Sequence, residues 1–292
     1  MRALRLSALS LLTLLLTSGC IEMHLLLSLK PDGSGTIRET VLMSSQVIGP
    51  MREMAAAMQA EAEQNGTTPP PPSSDPLGEE QIRKGAERFG AGVQYVSHEM
   101  IDDGEKQGYR AVYSFSDINA VRTSQNPTSA IPEFPGDNGE GETEGQGDDE
   151  TVSFAFTPGS PAKLVITPAG LNDDKDQTIQ ESTAPEGDAE FQAEAQEMAE
   201  QNKEEMKQLF RGMRVSIVVQ LEGEIVRTNA SFREGNTVTV IDVDFDALLD
   251  NEDALSKLER ADDLDPAEIK ALMRSIPGIR FETEDSIEVL FR

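Results

Sequence analysis

The chain has 292 residues, enough for one large domain or two small ones, and 53 acidic against 25 basic residues give it a formal net charge of −28. That balance repels phosphate-rich polymers, which excludes a general nucleic-acid binder and argues against a polybasic membrane contact, and it suits a solvated, self-repelling surface. A single cysteine leaves no internal disulfide, and 11 methionines with no tryptophan predict an aliphatic core with adaptable fillers.

Arg2 and Arg5 make a short basic start, and Leu6 to Leu16 form an apolar run interrupted only by Ser and Thr. Small residues follow, then Cys20. This is the layout of a secretory signal, and the run falls short of the ~20 apolar residues that span a bilayer. The segment LLLTSGC resembles the lipobox of bacterial lipoproteins, with Gly19 before the cysteine and Thr17 where leucine is more usual. The resemblance implies removal of residues 1–19. Cys20, as the first mature residue, would then carry a thioether-linked diacylglycerol and an N-acyl chain such as palmitate. Several acyl chains at ~0.8 kcal/mol per buried methylene make a stable anchor. A cleaved signal with an incidental cysteine is the other reading.

A β-hairpin is expected at once, with arms near 22–30 and 36–44 and PDGSG as its turn. Residues 50–64 have helical spacing, with Met51, Met54, Met58 and Ala62 on one stripe that faces either a core or lipid. The polyproline stretch 65–76 is a loop. A helix over 79–89 follows, then a second hairpin around IDDGEKQG. Residues 123–150 mark a break in composition: the run PGDNGEGETEGQGDDE is acidic, glycine-rich and without apolar side chains, the composition of a mobile loop. Beyond it come a third hairpin (151–157 and 162–167), a second acidic stretch (170–188) and a long amphipathic helix from about 188 to 212. Strands joined by hairpin turns at EG and EGN are expected near 214–221, 224–233 and 237–245, then helices near 246–260 and 266–274 and a closing hairpin over PGIRFETEDSIEVLFR. Pro266 suits the first helical position after Asp265.

The turn Asp32-Gly33-Ser34-Gly35 behind the cysteine, and the segment Glu222 to Val240 with Asn229, Gly235 and Asn236 at its turns, resemble bacterial lipoproteins of the mycobacterial LppM type. The chain departs from that pattern at Val240 and Ile241, where tryptophan is frequent. The resemblance implies an α+β lipoprotein domain with affinity for lipids or envelope components, and it carries over no catalytic residue.

Chemistry-bearing motifs are few. His24 and His98 each sit on an expected strand without a companion ligand, and no nucleophile elbow, P-loop or dinucleotide fingerprint is present. Asp242, Asp244 and Asp246 alternate along a strand, so their carboxylates share one face, where calcium would suit them. Ala247 and Asp253 stand where an EF-hand loop needs glycine and glutamate. A solvated strand end or helix cap is the competing reading.

The expected fold is α+β: mostly antiparallel sheets built from hairpins and packed against three or more helices, with disordered acidic loops. Residues 20–292 form one envelope domain, or two lobes (20–122 and 151–292) joined by 123–150. No catalytic residue and no cofactor are expected. The expected role is a non-enzymatic binding or assembly module held to the membrane by its lipid, with an envelope protein or lipid as partner. Ile21 rather than aspartate after the cysteine favours the periplasmic face of an outer membrane where the source has two. A lipid or small-ligand binder is the alternative, and a carboxylate-based hydrolase would need two acids ~5–10 Å apart across a cleft.

Overall fold

The computed structural model describes residues 21–45, 77–124, 151–168, 210–258 and 266–292, with 48–49, 52–53 and 207 as short pieces. The first strand, β1 (Ile21–Leu29), alternates without fault: Met23, Leu25, Leu27 and Leu29 are buried, while His24, Leu26 and Ser28 face the other way. The turn Pro31–Ser34 returns the chain as β2 (Gly35–Ser44), paired antiparallel from Leu29↔Gly35 to Ile21↔Met43. Gly33 takes a φ of +88° there, and a Cβ on it would stand 2.8 Å from the Phe156 ring. Both the turn and the packing therefore require glycine.

Helix α1 (Glu79–Arg88) leads into the second hairpin, β3 (Gln94–Asp102) and β4 (Lys106–Phe115). After a 3₁₀ turn at Ile118–Ala120 come β5 (Arg122–Ser124), β6 (Thr151–Thr157) and β7 (Ala162–Thr167). The remaining strands are β8 (Arg214–Leu221), β9 (Ile225–Thr228), β10 (Arg233–Glu234), β11 (Thr237–Asp244), β12 (Ile279–Phe281) and β13 (Ile287–Phe291). Between β11 and β12 lie α2 (Phe245–Leu249), α3 (Glu252–Leu258) and α4 (Pro266–Ser275).

The strands make two sheets. The larger runs β10-β11-β8-β1-β2-β4-β3, with β12 also on β11, and the smaller runs β5-β6-β7-β13-β9. At the centre of the larger sheet β1 pairs in parallel with β8, which no hairpin reading of the sequence anticipates. Strands from both sides of 123–150 enter the larger sheet. The buried side chains of the two sheets form one apolar cluster. They meet at the β1–β2 turn, where the Phe156 ring of β6 lies against Gly33 and Ile118 N, in the turn leading to β5, donates to Gly33 O (3.0 Å). The smaller sheet thus lies at the end of β1 away from Ile21, and nine extended residues put it ~30 Å from that strand start.

The α+β expectation, with sheets packed against three or more helices, is overturned. Half of the structure is strand and under a quarter is helix. The four described helices are short and form no layer; α1 buries only Ile82, Gly85 and Ala86, and α2 buries nothing. Strand alternation supplies the core, and short helical patterns at 245–275 only cover separate patches of it. The expected helix at 246–260 breaks at Asp250-Asn251 into α2 and α3. The expected helices at 50–64 and 188–212 fall largely outside the described residues, as do Cys20 and most of the acidic stretches.

Two expected hairpins are also corrected. β8 pairs with β11, not with β9, because the chain leaves the larger sheet at Gly223 and returns at β10. Asn229 fixes that detour, donating through Nδ2 to Ser286 O (3.0 Å) and accepting from Glu288 N (2.6 Å). The closing segment is not a hairpin: β12 joins β11 in the larger sheet, and β13 joins β7 and β9 in the smaller.

Candidate functional site

The outer face of the larger sheet carries one continuous row of side chains. Register aligns Asp242 (β11), Ser216 (β8), His24 (β1), Thr40 (β2), Arg110 (β4) and Glu99 (β3). The next row toward the turn holds Val218, Leu26, Arg38 and Val112. Arg38 and Arg110 are diagonal neighbours on adjacent strands, ~7–8 Å apart at the backbone and within reach of each other's side chains. An open cleft of about 490 Å³ lies over this junction, lined by His24, Leu26, Arg38, Thr40 and Arg110.

The electrostatics of the face are uneven. Arg110 pairs with Glu99 at the sheet edge. Asp242 accepts a forked contact from Arg214 (3.1 and 3.2 Å). Among the described residues Arg38 has no carboxylate partner. His24 Nδ1 lies 2.7 Å from the Ser216 hydroxyl, which fixes the ring and leaves Nε2 as the nitrogen available to a ligand. Burial pushes the His24 imidazole below its ordinary value, opposed chiefly by the nearby Glu22 carboxylate and reinforced by Arg214. The ring is therefore neutral at pH 7.

The inner face of the same strands holds a different cluster, which the sequence reading missed. Glu39 sits on the apolar parity of β2, between Ile37 and Val41, and is 1% exposed. Its carboxylate accepts from Arg88 on α1 (3.1 Å), Tyr109 (3.0 Å) and Tyr113 (3.2 Å). Tyr113 also lies 2.8 Å from the Ile82 carbonyl. Burial raises both tyrosine hydroxyls, and the Glu39 charge adds to it. Gly85 permits this close seat, since a Cβ there would stand 2.6 Å from the Tyr113 hydroxyl. An acid at an apolar strand position was the available signal. With every donor met, the cluster fastens α1 to the sheet.

The three aspartates on the β11–α2 segment do not converge. A bulge between Thr239 and Ile241 keeps Val240 and Ile241 both buried and puts Asp242 on the outer face. Asp242 turns to Arg214, Asp244 caps α2 by accepting from Asp246 N (3.1 Å), and Asp246 accepts from Gly212 N (2.8 Å). Among the described residues no three acids, histidines or cysteines group as a metal site. His98 lies against Tyr95, with Nδ1 2.6 Å from the hydroxyl. A buried carboxylate beyond the outer face, Glu282, accepts at Oε1 from Ser231 N (2.5 Å) and Phe232 N (2.9 Å), which shapes the β9–β10 loop.

No protein-family model matches the chain, and no curated protein matches it. Among solved structures, the NMR structure of the folded domain of the Mycobacterium tuberculosis LppM protein aligns over 94% of this chain and 91% of that one, at 9% identity and a TM-score of 0.31. A likeness of that size carries no argument about function.

Proposed function

We propose that this protein is a membrane-anchored, non-enzymatic binding module whose ligand face is the outer face of the larger sheet. The observation that carries the reading is an open cleft of mixed character on a face that the described chain leaves uncovered. Leu26 gives it an apolar wall, His24 and Thr40 give hydrogen-bonding groups, and two arginines give charge. Convergent polar groups beside an apolar surface mark a ligand site, and here the polar groups predominate. On this face Glu22, Glu99 and Asp242 are each engaged by a basic side chain: Lys106, Arg110 and Arg214. That pairing supports binding over hydrolysis by free carboxylates.

The lipobox-like sequence supports the anchor. β1 begins at Ile21, directly after Cys20, and occupies the middle of the larger sheet. An acylated Cys20 would thus tether the binding face at its own central strand, with the smaller sheet at the far end. Intact-mass analysis of protein extracted from membranes should give a mature chain beginning at a triacylated or diacylated Cys20, and Cys20→Ser should move the protein to the soluble fraction. An unmodified Cys20, or a Cys20→Ser variant still held in the membrane, overturns the anchored reading.

A further inference from the structure

We infer that the His24–Arg38–Arg110 cleft is a phosphate site, built to hold the phosphate ester of a ligand lying close to the anchoring membrane. The inference deepens the proposed binding role and rests on it. Three independent features of the molecule point to this chemistry.

The first is charge placed against the trend of the chain. In a protein of net charge −28, two arginines stand as diagonal neighbours on β2 and β4 and line the same cleft. Like charges at that spacing repel, and Glu99 faces only Arg110. Among the described residues no acid answers Arg38. An anion between the two guanidiniums relieves the repulsion, and their planar forks match the tetrahedral oxygens of phosphate bidentately.

The second is the hydrogen-bonding complement. Thr40 lies between the arginines in register with both His24 and Arg110, offering a hydroxyl donor. His24 is held by Ser216 through Nδ1, so Nε2 is the nitrogen turned to a ligand. A phosphate oxygen beside that nitrogen would favour the imidazolium, opposing the burial that keeps the empty ring neutral. The groups facing His24 besides the cleft arginines are Glu22 on its own strand, Arg214 on β8, Asp242 on β11 and Lys106 on β4.

The third is position. His24 is three residues along β1 from Ile21, ~10 Å from the strand start. A site at that distance from an acylated Cys20 lies within reach of the headgroup layer, and Leu26 extends it with apolar surface on the side away from the anchor. A single arginine-lined cleft differs from a polybasic patch, so the overall acidity of the chain does not conflict with it.

The phosphate has two possible sources, a lipid headgroup or a soluble phosphate ester, and one experiment separates them. The full chain in dodecyl maltoside is titrated by calorimetry with glycerol phosphate, and in parallel with micelles doped with dioleoylphosphatidate. Glycerol and dioleoylglycerol are the neutral controls, and native mass spectrometry counts the ligands retained. The expected result is saturable binding of one phosphate compound per chain and none of the neutral controls, weakened at least tenfold by Arg38→Gln and by Arg110→Gln. Arg38→Lys should restore part of the affinity, and Arg227→Gln on β9, which removes the same charge elsewhere, should leave it unchanged. Tighter binding of phosphatidate than of glycerol phosphate assigns the site to a lipid; equal or exclusive binding of glycerol phosphate assigns it to a soluble ester. Binding of neither compound, or binding that Arg227→Gln weakens as much as Arg38→Gln, overturns the phosphate site. That failure leaves the proposed binding role intact, because ligand capture at the outer face tests that role whatever the chemistry of the ligand.

Discussion

Arg38 and Glu39 are neighbours in β2, and they show what each face of the larger sheet is for. Glu39 points inward, is 1% exposed, and has Arg88, Tyr109 and Tyr113 gathered on its two oxygens. Arg38 points outward into a cleft and, among the described residues, meets no acid. A buried charge must be satisfied by the fold itself, or the fold does not form. A charge at a solvent-facing cleft carries no such requirement, and its pairing can be left to a ligand. Strands β2 and β4 thus carry a closed polar cluster on one side and an open one on the other.

The largest expected effect lies on the inner face. Glu39→Ala removes the common acceptor of two tyrosine hydroxyls and a partly exposed arginine, and should cost about 3 kcal/mol in urea unfolding of the full chain. A cost below about 0.5 kcal/mol would break the contrast between the faces, because surface substitutions give that little.

Gly85→Ala comes next. Alanine in an exposed helix interior usually stabilises by up to about 1 kcal/mol, but here its Cβ would stand 2.6 Å from a hydroxyl fixed by Glu39 and the Ile82 carbonyl. Overpacking should win and destabilise by about 1–3 kcal/mol. In a Tyr113→Phe background the hydroxyl is gone, and the same change should become neutral or stabilising. Thermal unfolding of the four proteins in that cycle checks the coupling. Asp244→Ala, which removes the α2 cap, should cost about 1 kcal/mol by the same measurement.

The outer face should respond to pH rather than to truncation. His24 is depressed in the folded protein relative to its ordinary value of 6.5, so between those two values the unfolded chain binds more protons. Its contribution is fully present above about pH 6.5 and is lost as pH falls toward the folded value. Urea midpoints measured from pH 7.5 to 5 should fall more steeply for the native protein than for His24→Gln, and parallel curves would contradict the depressed imidazole. Smallest of all, Arg38→Gln should change stability by under about 0.5 kcal/mol.

This contrast also marks what the sequence could convey. The first three hairpins were readable because alternation and turn chemistry are local: MHLLLSLKPDGSGTIRETVLM carries both its strands and its turn within one stretch. Partner choice across distance was not. Nothing near Ile21 says that it will run parallel to Arg214–Leu221, and Ile279–Phe281 and Ile287–Phe291 look like one hairpin until each finds a different sheet. The site followed the same division. His24 stood out as one of two histidines, but Thr40, Arg38 and Arg110 join it only through register across three strands. Glu39 was legible as a charge at an apolar position, whereas its partners Arg88, Tyr109 and Tyr113 lie at least 49 residues away.

The central claim is that ligand meets the outer face of the larger sheet. A photoreactive residue placed at Val112, on that face, or at Val226, half exposed on β9 of the smaller sheet, tests it within the full chain. Irradiated in membranes of the source organism, the Val112 variant should form a discrete adduct that Arg38→Gln abolishes, and the Val226 variant should form none. Labelling at Val226 alone, or equal labelling at both positions, would contradict it.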